Sequence, residues 1–172
     1  MTRTNKLILG LAVLAAVLGG WWQHRLQQPP GNVVGTPQPD LSFVDLDGHP
    51  HALSDYRGRR VLLNFWASWC GPCLDEMPAL ARAQAKLGKR DTQVLGIAMD
   101  DPSRVRDFLA AHPVNYPILL GRLEAPSSSL LLGDAGEVLP YSVLLDMDGH
   151  VLQSHAGALT PAQLDAWLLI SP

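Results

Sequence analysis

The only thiols of this 172-residue chain are Cys70 and Cys73, two residues apart in Trp69-Cys70-Gly71-Pro72-Cys73. A bridge over so short a loop removes little chain entropy, so it is a poor structural staple. A structural zinc site normally takes four Cys or His ligands, and a second Cys pair is absent. Such a pair is well suited to redox chemistry, because it can cycle between dithiol and disulfide with almost no backbone movement. Two inert core cysteines are the bland alternative, and Trp69 and the Gly71-Pro72 spacer count against it.

The flanking elements supply the activation. Val61-Leu-Leu-Asn-Phe-Trp66 is nearly all apolar, as a strand buried on both faces requires. A helix follows from Cys70 to about Leu87, with Met77, Leu80, Ala81 and Leu87 at roughly helical spacing and Pro78 expected to kink it. Cys70 falls at or just before the first turn. Unpaired backbone N–H groups and the helix dipole favour a thiolate there. Its pKa is expected below the free-thiol value of about 8.5. Cys73, inside the first turn, is the more shielded. Cys70 is therefore the nucleophile that attacks a substrate disulfide, and Cys73 resolves the mixed disulfide. Pro72 removes a donor and stiffens the turn.

The remaining chain reads as a mixed α/β sheet covered on both sides. Residues 41–48 alternate and turn at Asp47-Gly48. Ser54–Gly58 is a short turn or helical piece. Strands are expected at 93–98 and 117–120, with a helix from Asp101-Pro102 to about Ala111. A short helix is placed around 130–132. A hairpin, 141–145 and 151–156, turns at Asp148-Gly149, and Thr160-Pro161 opens a last helix. His49 and His51 read as solvated hairpin residues with no ligand role.

Residues 7–22, LILGLAVLAAVLGGWW, carry no charge and follow Arg3 and Lys6. This is a signal peptide or a retained anchor. Trp21 and Trp22 suit a membrane interface and no A-x-A-like cleavage site follows, so retention is the preferred reading. Positive residues before the run place the N-terminus in the cytoplasm and the remainder outside it. The domain boundaries are then 1–22 anchor, 23–39 flexible linker rich in Pro and Gly, and 40–172 a single catalytic domain. All 16 acidic residues lie at or after Asp40, and the chain's net charge is −3. The domain is thus acidic, which argues against nucleic acid.

Val61-Leu-Leu-Asn-Phe-Trp-Ala-Ser-Trp-Cys-Gly-Pro-Cys73 resembles the active-site segment of thioredoxin. Pro78 matches the kink in thioredoxin's active-site helix. Leu139-Pro140-Tyr141 resembles that superfamily's cis-proline loop, and Ala156-Gly157-Ala158 before the last helix also fits. The likeness spans about residues 40–170. It is strongest to the membrane-tethered TlpA/ResA/DsbE group, through the Asp55-Tyr56-Arg57-Gly58 hairpin region, Glu76-Met77-Pro78, and the added helix and strand between Gln93 and Leu120. The resemblance implies a thioredoxin-like α/β fold, a central mixed sheet with helices on both faces, an N-terminal β-hairpin and a central αβ insertion. It implies a periplasmic thiol:disulfide reductase with no cofactor beyond the redox-active Cys70–Cys73 pair and no metal. Its partners would be an oxidised client protein and a DsbD/CcdA-like electron donor in the bacterial inner membrane. Cytochrome c maturation is a frequent task of the group. The soluble domain is expected to be a monomer.

The resemblance also assigns residues. Asn64 replaces the buried aspartate of thioredoxin, and an amide cannot titrate. Glu76, one turn past Cys73, is the candidate proton carrier; it is otherwise a carboxylate favouring the helix dipole. Trp69 is expected partly exposed beside Cys70 as an apolar docking surface, and Trp66 in the core. A cis Pro140 would present the Leu139 backbone to an extended client, with Tyr141 alongside. Three other functions stay open. One is an oxidant or isomerase of secreted proteins. Another is a peroxidase, although Ala67 stands where the peroxidatic motif has Thr. The third is a copper carrier using both thiolates.

Overall fold

The computed structural model describes residues 18–19, 33–87 and 92–169. The apolar run expected as the anchor lies outside these, except for Leu18 and Gly19. Among the described residues no helix is long and apolar enough to cross a membrane.

Seven strands form one sheet in the order β2-β1-β5-β4-β3-β6-β7. They are β1 Ser42–Asp45, β2 Pro50–Ala52, β3 Arg60–Trp66, β4 Thr92–Ala98, β5 Ile118–Leu120, β6 Tyr141–Leu145 and β7 Val151–Ala156. The helices are α1 Gly71–Leu87, α2 Pro102–Ala111, α3 Ser128–Leu131 and α4 Pro161–Leu169, with a 3-10 turn at Leu53–Tyr56. β3, β4 and β5 run parallel, as crossovers through α1 and α2 require. The two hairpins, β1/β2 and β6/β7, close the sheet's edges in antiparallel pairing.

Strand alternation divides the core into two layers. Leu62 and Trp66 of β3, Val94 and Ala98 of β4, Ile118 of β5 and Leu144 of β6 face α1, α2 and α4. Leu63 and Phe65, Leu95 and Ile97, Leu119 and Val143 face the other way. That second face is covered by shorter pieces: Leu53 of the 3-10 turn, Leu132 after α3, and Val33. Both faces are covered, with the long helices all on one of them.

The packed domain begins earlier than residue 40. Val33 is buried, and Gly35 and Thr36 exchange backbone hydrogen bonds with Val151 at 2.7 and 3.0 Å. The last seven residues of the stretch expected to be a flexible linker therefore belong to the domain. Composition misled here, because Pro and Gly also suit an ordered edge segment, and the pairing partner lies far along the chain.

Candidate active site

β3 ends at Trp66, and Ala67-Ser-Trp69 carries the chain over to Cys70. The Cys70 carbonyl accepts the first hydrogen bonds of α1, from Cys73 N–H at 3.0 Å and Leu74 N–H at 3.2 Å. Cys70 is therefore the N-cap of α1, and Gly71, Pro72 and Cys73 form its first turn. Pro72 suits this place because a first-turn N–H has no helical acceptor. A Cβ added at Gly71 would meet nothing within 4 Å, so packing does not demand glycine there. Cys70 and Cys73 are joined as a disulfide with their Cα atoms 5.3 Å apart. Cys70 is 5% exposed and Cys73 fully buried. Trp69 stands out beside them, 65% exposed, while Trp66 is buried in the core.

Behind the disulfide lies a buried carboxyl. Cys73, Glu76, Met77, Leu80 and Ala83 follow helical spacing, so Glu76 occupies a place in the apolar stripe of α1. It is 4% exposed. Oε1 accepts from Asn64 Nδ2 at 2.6 Å, and Oε2 accepts from the Leu159 N–H at 2.7 Å. Burial pushes the carboxyl above its ordinary value, and these two hydrogen bonds offset only part of that. Asn64 Nδ2 also donates to Ser142 Oγ at 3.1 Å, its register partner across β3/β6.

The loop before Cys70 is fastened by a second carboxylate. Asp100, two residues past the end of β4, accepts on one oxygen from Ser68 N–H at 3.0 Å and Ser68 Oγ–H at 2.6 Å. Its other oxygen accepts from Asp101 N–H at 2.8 Å. Burial acts to raise its pKa, and the hydrogen bonds outweigh that and hold it below the ordinary carboxylate range. Opposite the helix lies the loop before β6. The Leu139–Pro140 bond is cis, and the Pro140 carbonyl accepts from Gly157 N–H at 2.8 Å. Leu139 is half-buried and packs against both core layers.

The redoxin family profile matches residues 33–168, nearly all of the described chain. The chain belongs to the redoxin family. It is 30% identical over 98% of its length to thiol-disulfide oxidoreductase ResA of Geobacillus kaustophilus, covering 97% of that protein. A structure from Chlorobium tepidum assigned as thiol:disulfide interchange protein DsbE superposes with a TM-score of 0.71 at 31% identity, over 79% of this chain and 95% of that one. A secreted thiol-disulfide isomerase from Corynebacterium glutamicum superposes at 0.69 and 25% identity, over 77% and 83%. Within the thioredoxin superfamily this redoxin is ResA/DsbE-like.

The fold gathers most of the expected site residues of this redoxin at the ends of β3 and β6 and the start of α1. Tyr141 is the correction. Its side chain is 3% exposed and belongs to the layer remote from the cysteines, near Phe65, with its hydroxyl donating to the Leu132 carbonyl at 3.1 Å. Strand alternation turns it away: Ser142, its neighbour, faces the site instead. Sequence reasoning passed over Ser68, Asp100, Ser142 and the Leu159 N–H. Ser142 had a usable signal, since it is a lone polar residue in an apolar strand at the register of Asn64. Asp100 and Leu159 reach the site from 32 and 83 residues away, with no spacing to reveal them.

Proposed function

We propose that this protein is an extracytoplasmic thiol:disulfide oxidoreductase that works as a reductant of client disulfides. The observation that carries this is the Cys70–Cys73 disulfide at the N-cap of α1, with Cys70 the more exposed partner. In the dithiol form, the helix N-terminus stabilises a Cys70 thiolate. Cys70 Sγ attacks one sulfur of the client disulfide, and the other leaves as a thiolate. Cys73, as thiolate, then attacks Cys70 Sγ. The mixed disulfide breaks, the client leaves as a dithiol, and Cys70–Cys73 is oxidised. Two electrons pass to the client, and the protons of the two enzyme thiols end on the client's two sulfurs.

Glu76 is the group proposed to carry the Cys73 proton. It lies one turn along α1, and burial keeps its proton affinity high. Asn64 suits both protonation states. Its Nδ2 donates to the carboxylate, while its Oδ1 has no hydrogen-bond partner. Rotating the amide offers that oxygen to a protonated Glu76. Trp69 gives an extended client an apolar platform, and the backbone before Pro140 gives it a strand-like edge.

A reductant outside the cytoplasm needs its own electron source, because that compartment oxidises thiols. A membrane thiol donor of the DsbD/CcdA kind fits this need, and residues 7–22 would anchor the protein beside it. The Corynebacterium relative, described as secreted, supports the location. The clients include the haem-binding cysteines of c-type cytochromes on this reading.

The test uses Cys73→Ser. Cys70 should remain joined to its client as a mixed disulfide that mass spectrometry identifies. Capture by Cys70→Ser and not by Cys73→Ser would invert the roles. A reduction potential near thioredoxin's, about −270 mV, agrees with a reductant, and one near DsbA's, about −120 mV, would make the protein an oxidant.

A further inference from the structure

Asp134 is the most deeply buried carboxyl among the described residues, at 2% exposed, and the thiol chemistry does not use it. It lies in the segment that runs from α3 into Leu139-Pro140. Its backbone is already fixed. The Asp134 N–H donates to the Ser129 carbonyl at 3.0 Å, and the Asp134 carbonyl accepts from Glu137 N–H at 3.0 Å. The second of these bonds closes the turn 134–137 by itself. The carboxyl reaches one residue further. Oδ1 accepts from Val138 N–H at 3.1 Å, while Oδ2 has no hydrogen-bond partner among the described residues. Burial raises the pKa of this carboxyl, and the Val138 bond offsets part of that. A buried carboxyl is a costly addition to a turn that a backbone bond already closes.

Leu139-Pro140 is held on its other side as well. The Tyr141 hydroxyl donates to the Leu132 carbonyl at 3.1 Å. Val138 and Tyr141 thus bracket the dipeptide, and their anchors, Asp134 and Leu132, lie two residues apart in the chain. Glu137, between them, takes a left-handed φ of 46° and is fastened too, with Oε1 accepting from Ser127 Oγ–H at 2.5 Å.

Between these brackets the Leu139 backbone is unused. The pairing of β6 with β7 runs out where Gly157 N–H donates to the Pro140 carbonyl. Among the described residues, neither the N–H nor the C=O of Leu139 has a hydrogen-bond partner. Continuing the β3/β6 register past Phe65 and Tyr141 sets Leu139 level with Ala67, three residues before Cys70. The Val138 side chain beside it is 49% exposed.

We propose that Asp134 is a positioning residue for client binding: its hydrogen bond to Val138 N–H, with that of Tyr141 to Leu132, clamps both ends of Leu139-Pro140 and presents the Leu139 N–H and C=O to an extended client segment. The proposal rests on the reading of the protein as a reductant of client disulfides. Asp134 acts here on docking and not on the thiols. A client that pairs with Leu139 as an added strand needs both backbone groups at a fixed height and direction. Without the clamp, ordering the loop would subtract from affinity.

The test mixes the reduced full-length protein with an excess of one of two disulfides and follows loss of its thiols. One probe is a short synthetic peptide closed by a Cys-x-x-Cys disulfide. The other is hydroxyethyl disulfide, which has no peptide backbone. Asp134→Ala should raise the half-saturating peptide concentration about fivefold with little change in the limiting rate, as expected for one hydrogen bond that acts through binding. The ratio of peptide to hydroxyethyl disulfide reactivity should fall by the same factor. Asp134→Asn keeps an acceptor for Val138 and should restore most of the loss. Hydrogen exchange gives a reading that needs no Asp134 variant. In Cys73→Ser, Val138 N–H should be protected throughout, and Leu139 N–H should become protected only when the peptide is trapped on Cys70. An unchanged half-saturating concentration, equal losses on both disulfides, no recovery in Asp134→Asn, or an unprotected Leu139 N–H in the trapped complex would overturn the proposal alone. No reduction of the peptide by the unsubstituted protein would overturn the client reading, and the proposal with it.

Discussion

Glu76 is a carboxyl placed where the helix pattern calls for an apolar side chain, and its titration has a definite sign. Burial raises its pKa above the ordinary 4.5. The protonated form is thus the one the folded protein tolerates better. This group's contribution to stability is full below 4.5 and is lost as pH rises through the folded value. Glu76→Gln removes that dependence. The stability of the unsubstituted protein should fall relative to the variant as pH rises from acid toward neutral, read as the difference in urea midpoints. At the same position, the pH profile of Cys70 alkylation should change in Glu76→Gln; an unchanged profile would remove the proton role. Asn64→Asp makes a sharper test. It sets a second carboxyl where the amide nitrogen lies 2.6 Å from Oε1, and two carboxylates so close cannot both ionise. Its alkylation profile should show two coupled titrations.

At the scale of elements, the nucleophile's position depends on how the loop leaving β3 is held. Asp100, just beyond β4, accepts both Ser68 hydrogen bonds. Asp100→Ala leaves the half-buried Ser68 donors without this acceptor and should cost about 1 kcal/mol in chemical denaturation. The disulfide-exchange rate should fall with it, because Cys70 is two residues further on. The acidic limb differs from that of Glu76. The lowered Asp100 pKa gives stability that is present above its unfolded value and lost as pH falls through the folded one. β4 shows a second constraint at Gly96. A Cβ there would stand 2.6 Å from Ile118 Cδ1 and 3.1 Å from the Tyr116 ring. Gly96→Ala should therefore destabilise by about 1–3 kcal/mol through overpacking, measured as a lower urea midpoint.

At the scale of the whole molecule, one sheet serves two core layers, and β3, β4 and β6 contribute to both. The layers cannot come apart without breaking those strands. Leu132, fully buried in the layer remote from the cysteines, is the place to test this. Leu132→Ala should lower stability by about 2–5 kcal/mol. Trp66 fluorescence, from the cysteine layer, should report the same midpoint as far-ultraviolet circular dichroism. Two separated transitions would contradict a single cooperative core.

Much of this was legible in the chain itself because it is local. The Cys70–Cys73 spacing, the apolar run of β3, the Asp-Gly hairpin turns and the caps at Asp101 and Thr160 are decided by residues a few positions apart. The strand and helix order followed from them, and with it a mixed α/β sheet covered on both sides; the thioredoxin-like fold came from the resemblance of the segment around Cys70 and Cys73. Tertiary structure alone decided what lies across the sheet. It turned Tyr141 away from the thiols and Ser142 toward them. It brought Leu159 to Glu76 and Asp100 to Ser68, and seated Val33 against the far face. In each case the partner is chosen by strand register or by burial, and neither leaves a periodic mark in the sequence on its own.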